Sequence, residues 1–286
     1  MNQTIHNLLT EQLASWETAR NNYAALSGVR VKELNVNGIP YKVQFNPARI
    51  VSSGAKVDAK SIQARKCFLC PANLPTVQKG ISFGGHYHIL VNPFPIFPRH
   101  LTVPELAHTP QRIATRFTDM LELAEALTDY TIFYNGPKCG ASAPDHAHFQ
   151  AGNKGFMPIE KDWRGQTAGK IADYRKAVLW YLDDAPRATL VIESASKEDA
   201  ADLFDIVYRS LDTKPEEDER TGHVRGRPLG GLCLPAREAS SRLLHRRGRS
   251  QSAEQSGIRR LGWCLYHPRR KGFLENHCGR CGTDIK

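Results

Sequence analysis

Residues Tyr134 to Gln150 constrain this 286-residue chain more than any other stretch. The end of the run, His146-Ala147-His148-Phe149-Gln150, alternates polar and apolar residues with the two-residue period of a β-strand. Successive strand side chains point to opposite faces, so His146, His148 and Gln150 are predicted on one face and Ala147, Phe149 and Ala151 on the other. The segment before it is turn-rich, with Gly136, Pro137, Gly140 and Pro144. Its N–H groups, with Ser142, could cradle a phosphate beside two imidazoles and an amide held on a stiff strand. That combination points to attack on phosphorus.

The elements around the run predict a mixed fold. Residues 4–26 carry apolar positions at helical spacing (Ile5, Leu9, Leu13, Trp16, Tyr23). A hairpin is expected around Asn37-Gly38, flanked by alternating residues from Val31 to Val36 and from Tyr41 to Phe45. Strands are expected at 86–92, 130–134, 177–182 and 188–192. Helices are expected at 109–128, capped by Thr109, and at 196–211, capped by Ser196. Pro93 to Pro98 holds three prolines among aromatics, which shape a loop and forbid regular pairing.

Cys67-Phe-Leu-Cys70 is either half of a zinc site or a redox pair. A redox pair opens a helix, whereas Pro71 and Pro75 follow closely here, so a zinc knuckle lacking two ligands fits better. His100, directly after the proline loop, is a stronger candidate ligand than His86 or His88 on their strand. Seven cysteines, unevenly placed, suit a reduced cytoplasmic chain better than a disulfide scaffold, and no apolar run approaches the ~18 residues of a membrane span.

With these pieces in order, residues 67–150 resemble the histidine-triad superfamily, in particular the galactose-1-phosphate uridylyltransferase and nucleoside-diphosphate-hexose phosphorylase group. The resemblance rests on Cys67-Phe-Leu-Cys70, Asn92 with its Phe-Pro run, Pro98-Arg-His100-Leu, Asn135, Gly140-Ala-Ser142 and His146-Ala-His148-Phe-Gln150. Residues 30–150 look nearest to an uncharacterised bacterial branch related to the GDP-hexose phosphorylases. The resemblance implies an α+β fold, a histidine-triad-like antiparallel sheet with flanking helices. It implies His148 as the nucleophile on the α-phosphorus of a nucleotide sugar, giving a nucleotidyl-histidine that inorganic phosphate or a sugar phosphate resolves. It implies Asn135, Ser142 and Gln150 as phosphate-binding groups and Asn92 near the nucleoside. It implies structural zinc on Cys67, Cys70, His100 and His146, and a homodimer. A dinucleotide polyphosphate is the alternative substrate for the same chemistry.

The last 67 residues behave differently. Residues 220–286 hold 15 Lys+Arg and 4 Asp+Glu, against 24 and 25 in residues 1–219, so the formal charge of +10 belongs to the tail. The expected division is a nucleotidyltransferase domain over 1–219 and a poorly structured basic tail over 220–286. A nucleic-acid-binding tail with a Cys/His knuckle is one reading of it, although the near-neutral front part does not call for such a partner. A zinc ribbon from Cys264, His267, Cys278 and Cys281 is another. The third is a shifted reading frame: the codons of Arg227 to Ser241, read one base later, permit Gly-Arg-Trp-Val-Val-Cys-Val-Phe-Pro-Arg-Glu-Lys-His-Arg-Pro, which resembles the family's second half. On that reading the chain as written is expected to be weakly stable and weakly active.

Overall fold

The computed structural model describes residues 1–36, 39–47, 57–137, 141–163, 168–182 and 188–210, together with strand segments 222–225, 230–236, 259–261 and 264–266. The N-terminal helical stretch breaks at Trp16 into α1 (Asn2–Ser15) and α2 (Glu17–Ala24), because Trp16 takes an extended conformation. The hairpin forms as expected from β1 (Arg30–Val36) and β2 (Ile39–Phe45); its tip, Asn37-Gly38, lies outside the described residues. A short α3 (Ala59–Ala64), capped by the Asp58 carboxylate, leads into the Cys67–Cys70 turn.

The body is one antiparallel ten-stranded sheet. Its first half comprises β3 (Gly80–Phe83), β4 (Tyr87–Val91), β5 (His100–Pro104), helix α4 (Phe117–Ala126), β6 (Tyr130–Tyr134) and β7 (His148–Asn153). After the short helix α5 (Ile159–Asp162), the second half comprises β8 (Ala168–Tyr174), β9 (Ala177–Leu182), β10 (Ala188–Ser194), helix α6 (Lys197–Ser210), β11 (Gly222–Arg225) and β12 (Gly230–Ala236). The spatial order is β3-β4-β5-β7-β6-β11-β12-β10-β9-β8. Each half therefore has the same plan: two strands, a third, a helix, then two strands with the last inserted beside the third. The halves meet at β6 and β11, as in an internal two-fold repeat. A second small sheet pairs the hairpin with β13 (Arg259–Leu261) and β14 (Cys264–Tyr266).

The architecture is α+β with an antiparallel main sheet, as expected; in the small sheet β14 pairs with β2 in parallel. The main sheet takes strands from both sides of residue 219; apart from β11 to β14, residues 220–286 lie outside the described residues. Among the described residues no helix is long and apolar enough to cross a membrane.

Strand alternation separates the faces. Ile89, Val91, Leu101, Val103, Ile132, Phe149 and Leu190 pack beneath α1, α4 and α6, with Phe117 and Phe204 stacked at a centroid distance of 4.0 Å where α4 meets α6. The other face carries Phe97, Phe133, Met157 and Val191 under the hairpin and the 155–163 segment. His100, Thr102, Gln150 and His148 belong to this second face, away from the helices, because they alternate with the residues of the first core.

Candidate active site

His148 opens β7 opposite Pro104, with Gln150 opposite Thr102 and Phe133. His146 precedes the strand in a bend, two residues before the first paired position, so the expected three-residue strand face holds only for His148 and Gln150. The cause is the His146 ring, which turns toward Cys67.

The His148 ring is oriented by its own backbone. Nδ1–H donates to the His146 carbonyl at 2.8 Å, which leaves the lone pair on Nε2. Burial pushes the imidazole down to about 4, against the raising effect of that hydrogen bond, so the ring is neutral at physiological pH. A neutral, singly tautomeric imidazole on a fixed strand is the form a phosphorus nucleophile requires.

Gln111, fully buried, holds the start of β7 in place. Its Oε1 accepts from His148 N–H at 2.7 Å, and its Nε2 donates to the carbonyls of His148 and Asn135 at 3.0 Å each. The side-chain amide substitutes for the neighbouring peptide that β6 no longer supplies beyond Tyr134. Asn135 is thereby tied beside His148, and its Oδ1 is buried with no hydrogen-bond partner among the described residues. A buried orphan acceptor next to an imidazole with a free lone pair is a ready site for a ligand's donor.

The segment containing Gln111 is not the helix expected from Thr109. Residues 109–114 run as irregular chain, and α4 starts only at Phe117. Thr109 donates its hydroxyl to Glu105 instead of capping a helix, and Arg116 Nη2 closes the triangle at 2.8 Å from Glu105 and 2.9 Å from Thr109.

Asn92 sits at the end of β4 and is used internally: Nδ2 donates to Thr102 Oγ1 at 2.8 Å and Oδ1 accepts from Phe94 N–H at 2.8 Å. It shapes the proline loop one strand from Gln150. Ser142 lies in the loop before His146, where its carbonyl accepts from Arg65 at 3.2 Å. Gly140, with Lys138 and Cys139, falls outside the described residues.

A second cluster lies beside His148. Cys67, Cys70, His108 and His146 bring one ligand atom each to within 4.8 Å of one another. Cys67 Sγ is 3.3 Å from His146 Nδ1, Cys70 Sγ is 3.6 Å from it, and Cys70 Sγ is 3.2 Å from His108 Nδ1. A tetrahedron built on Zn–S and Zn–N bonds has S···N edges of about 3.6 Å, so the donor set fits zinc. His146 Nε2–H donates to the Glu105 carbonyl at 2.7 Å, which fixes the tautomer with Nδ1 free for a metal. Burial would raise the Cys67 thiol, but the adjoining His146 ring and hydrogen bonds from the N–H groups of Leu69 and Cys70 bring it down to about 6. Cys70 is held up by its own desolvation and by Cys67, so a second thiolate calls for a cation.

His108 stands where His100 was expected. His100 begins β5, and strand geometry sends its ring to the Gln150 face, where Nδ1 accepts from Ile96 N–H at 3.2 Å and Nε2 lies 3.1 Å from Gln150 Oε1. Spacing cannot choose between two histidines eight positions apart; the start of β5 does. Gln111 carried no sequence signal, because its role arises only where β6 ends short of β7.

The fold is similar to that of solved nucleotide-phosphorylase structures. The yeast Ap4A phosphorylase Apa2 superimposes with a TM-score of 0.52 at 18% identity, covering 92% of this chain and 89% of that one. Its complex with AMP gives 0.53 at 18% identity over 94% and 92%, and its complex with Ap4A gives 0.52 at 15% over 92% and 91%. No curated protein matches by sequence. The chain belongs to the family described as "Domain of unknown function (DUF4922)", whose model matches residues 8–153 and so spans every site residue named above.

Proposed function

We propose that this protein is a nucleotidyltransferase acting by phosphorolysis through a nucleotidyl-histidine at His148. The observation that carries the reading is the His148 Nδ1–H bond to the His146 carbonyl, which presents Nε2 on the face shared with Gln150 and Asn135. Nε2 attacks the α-phosphorus of a nucleoside diphosphate sugar; the N–P bond forms and the bridging P–O bond to hexose 1-phosphate breaks. Inorganic phosphate then attacks the same phosphorus, releasing a nucleoside diphosphate and restoring the imidazole. Gln150 and Asn135 supply amide groups to the phosphate oxygens, where charge builds in the transition state. Gln150 offers no proton to water, which favours transfer over hydrolysis. GDP-hexoses are the leading substrates. The structural likeness to an Ap4A phosphorylase favours a second reading, a dinucleotide polyphosphate with the same steps and a nucleotide leaving group.

Zinc on Cys67, Cys70, His108 and His146 is part of the proposal, in a structural role. It would lock the Cys67–Cys70 turn to the loop that supplies the His146 carbonyl, and so hold the acceptor that orients His148. We read the protein as a cytoplasmic homodimer.

The shifted frame also belongs to this reading. Strand β12 lies inside the sheet between β10 and β11, yet the written residues place Gly230 and Gly231 there. Glycine weakens an interior strand. The shifted frame would place Val-Val-Cys-Val-Phe-Pro-Arg over 230–236; it keeps proline at 235 but replaces the two glycines by β-branched residues.

Intact mass after incubation with GDP-glucose, UDP-glucose or a diadenosine polyphosphate is the test, on the chain as written and on a frame-restored version. A nucleotide adduct absent from His148→Ala supports the reading, and the added mass names the base. An adduct formed equally by His148→Ala would sink it.

A further inference from the structure

We infer that His100 is a positioning residue that fixes the Gln150 amide with its NH2 group turned toward His148; the importance of that orientation rests on the reading above. Ile96 N–H donates to His100 Nδ1 at 3.2 Å, so that nitrogen carries a lone pair and the neutral ring carries its proton on Nε2. The partner of Nε2, 3.1 Å away on Gln150, must then be an acceptor, and only Oε1 of the amide can serve. With Oε1 engaged, the two N–H donors are turned away from His100.

The strand register says where they point. His100 lies opposite Gly152 and His148 lies opposite Pro104, so the two histidines flank Gln150 from opposite ends of one strand face. Donors turned away from the first point toward the second, where phosphate oxygens would sit during attack. An amide turned the other way would aim a carbonyl at the phosphate and oppose binding.

The His100 ring cannot swing out of this geometry. It is fully buried, with Phe97 edge-on at 5.1 Å and 81° and Phe133 stacked at 6.2 Å and 21°. Phe97 occupies the space a side chain at residue 152 would take: a Cβ on Gly152 would come within 2.8 Å of its ring. Gly152, Phe97, His100 and Gln150 thus form a column, each member setting the next, that ends beside the nucleophile.

Two measurements test this on the full chain. The first is the ring tautomer by 15N NMR of histidine-labelled protein, with His100→Gln identifying the signal. A His100 ring protonated on Nε2 alone supports the inference, and protonation on Nδ1 overturns it. The second is AMP affinity by calorimetry. His100→Gln retains a donor near Nε2 and should bind within about threefold of the parent. His100→Glu offers only acceptors, draws the Gln150 NH2 toward itself, and should weaken AMP by roughly tenfold or more. Equal affinity of the parent and His100→Glu, both folded by circular dichroism, would overturn the inference. A parent that binds no AMP counts against the nucleotide reading alone, and the tautomer then decides the positioning role.

Discussion

Replacing Gln111 tests whether the start of β7 depends on a side chain acting as a missing peptide. Gln111→Met keeps the apolar stem and roughly the volume, and removes the amide. It strands the His148 N–H and the carbonyls of His148 and Asn135, which bond to Gln111 at 2.7, 3.0 and 3.0 Å. A buried donor left unmatched costs about 1–3 kcal/mol, and carbonyls with a second lone pair less, so the expected loss is about 2–4 kcal/mol. Urea unfolding reads this as a lower midpoint at unchanged slope. Amide exchange at His148 should accelerate more than exchange in the remainder of β7. Gln111→Glu separates geometry from charge. It keeps an acceptor for His148 N–H but sets a carboxylate oxygen against two carbonyls, so at neutral pH it should be less stable than Gln111→Met. That carboxyl is pushed above its unfolded value by burial and by the carbonyls, so its penalty is present at high pH and relieved as pH falls and the protonated oxygen donates again. A Gln111→Met loss below about 1 kcal/mol, with His148 exchange unchanged, would refute the reasoning.

Other expectations follow from the same geometry. Purified protein should carry zinc at close to one per chain by elemental analysis, and Cys67→Ser, Cys70→Ser, His108→Ala and His146→Ala should each abolish this, whereas His100→Ala should not; the reverse pattern for His100 and His108 would reject the assigned ligand set. Gly152→Ala forces a methyl into the Phe97 ring and should cost about 1–3 kcal/mol, seen as a fall in Tm. Phe204→Ala removes the ring stacked on Phe117 between the two helices and should cost about 3–5 kcal/mol in chemical unfolding. Burial raises the Glu105 carboxyl, but Arg116 and Thr109 more than offset this and hold it below its usual range, so it adds stability above the unfolded carboxylate pKa that is lost as pH falls through the folded one. Glu105→Gln should therefore flatten the acid limb of a stability profile.

The sequence by itself determined the elements that alternation or helical spacing can specify. Tyr130–Tyr134 and Ala177–Leu182 form strands with the expected bounds, and Ser196 caps its helix through Asp199 N–H. The ordered motifs also singled out His148, whose ring the structure holds against the His146 carbonyl. These are local properties: side-chain period and turn chemistry act within a few residues. What only the tertiary structure decided is where separate segments meet. Thr109-Pro110 carries a helix start signal, but Gln111 forms three hydrogen bonds to β7 and to Asn135 that a helix there would forfeit. His108 and His100 are equally plausible ligands along the chain, and the start of β5 sends one to the cysteines and the other to Gln150. Ligand sets and bridging amides depend on contacts between residues tens of positions apart, and no periodicity records them.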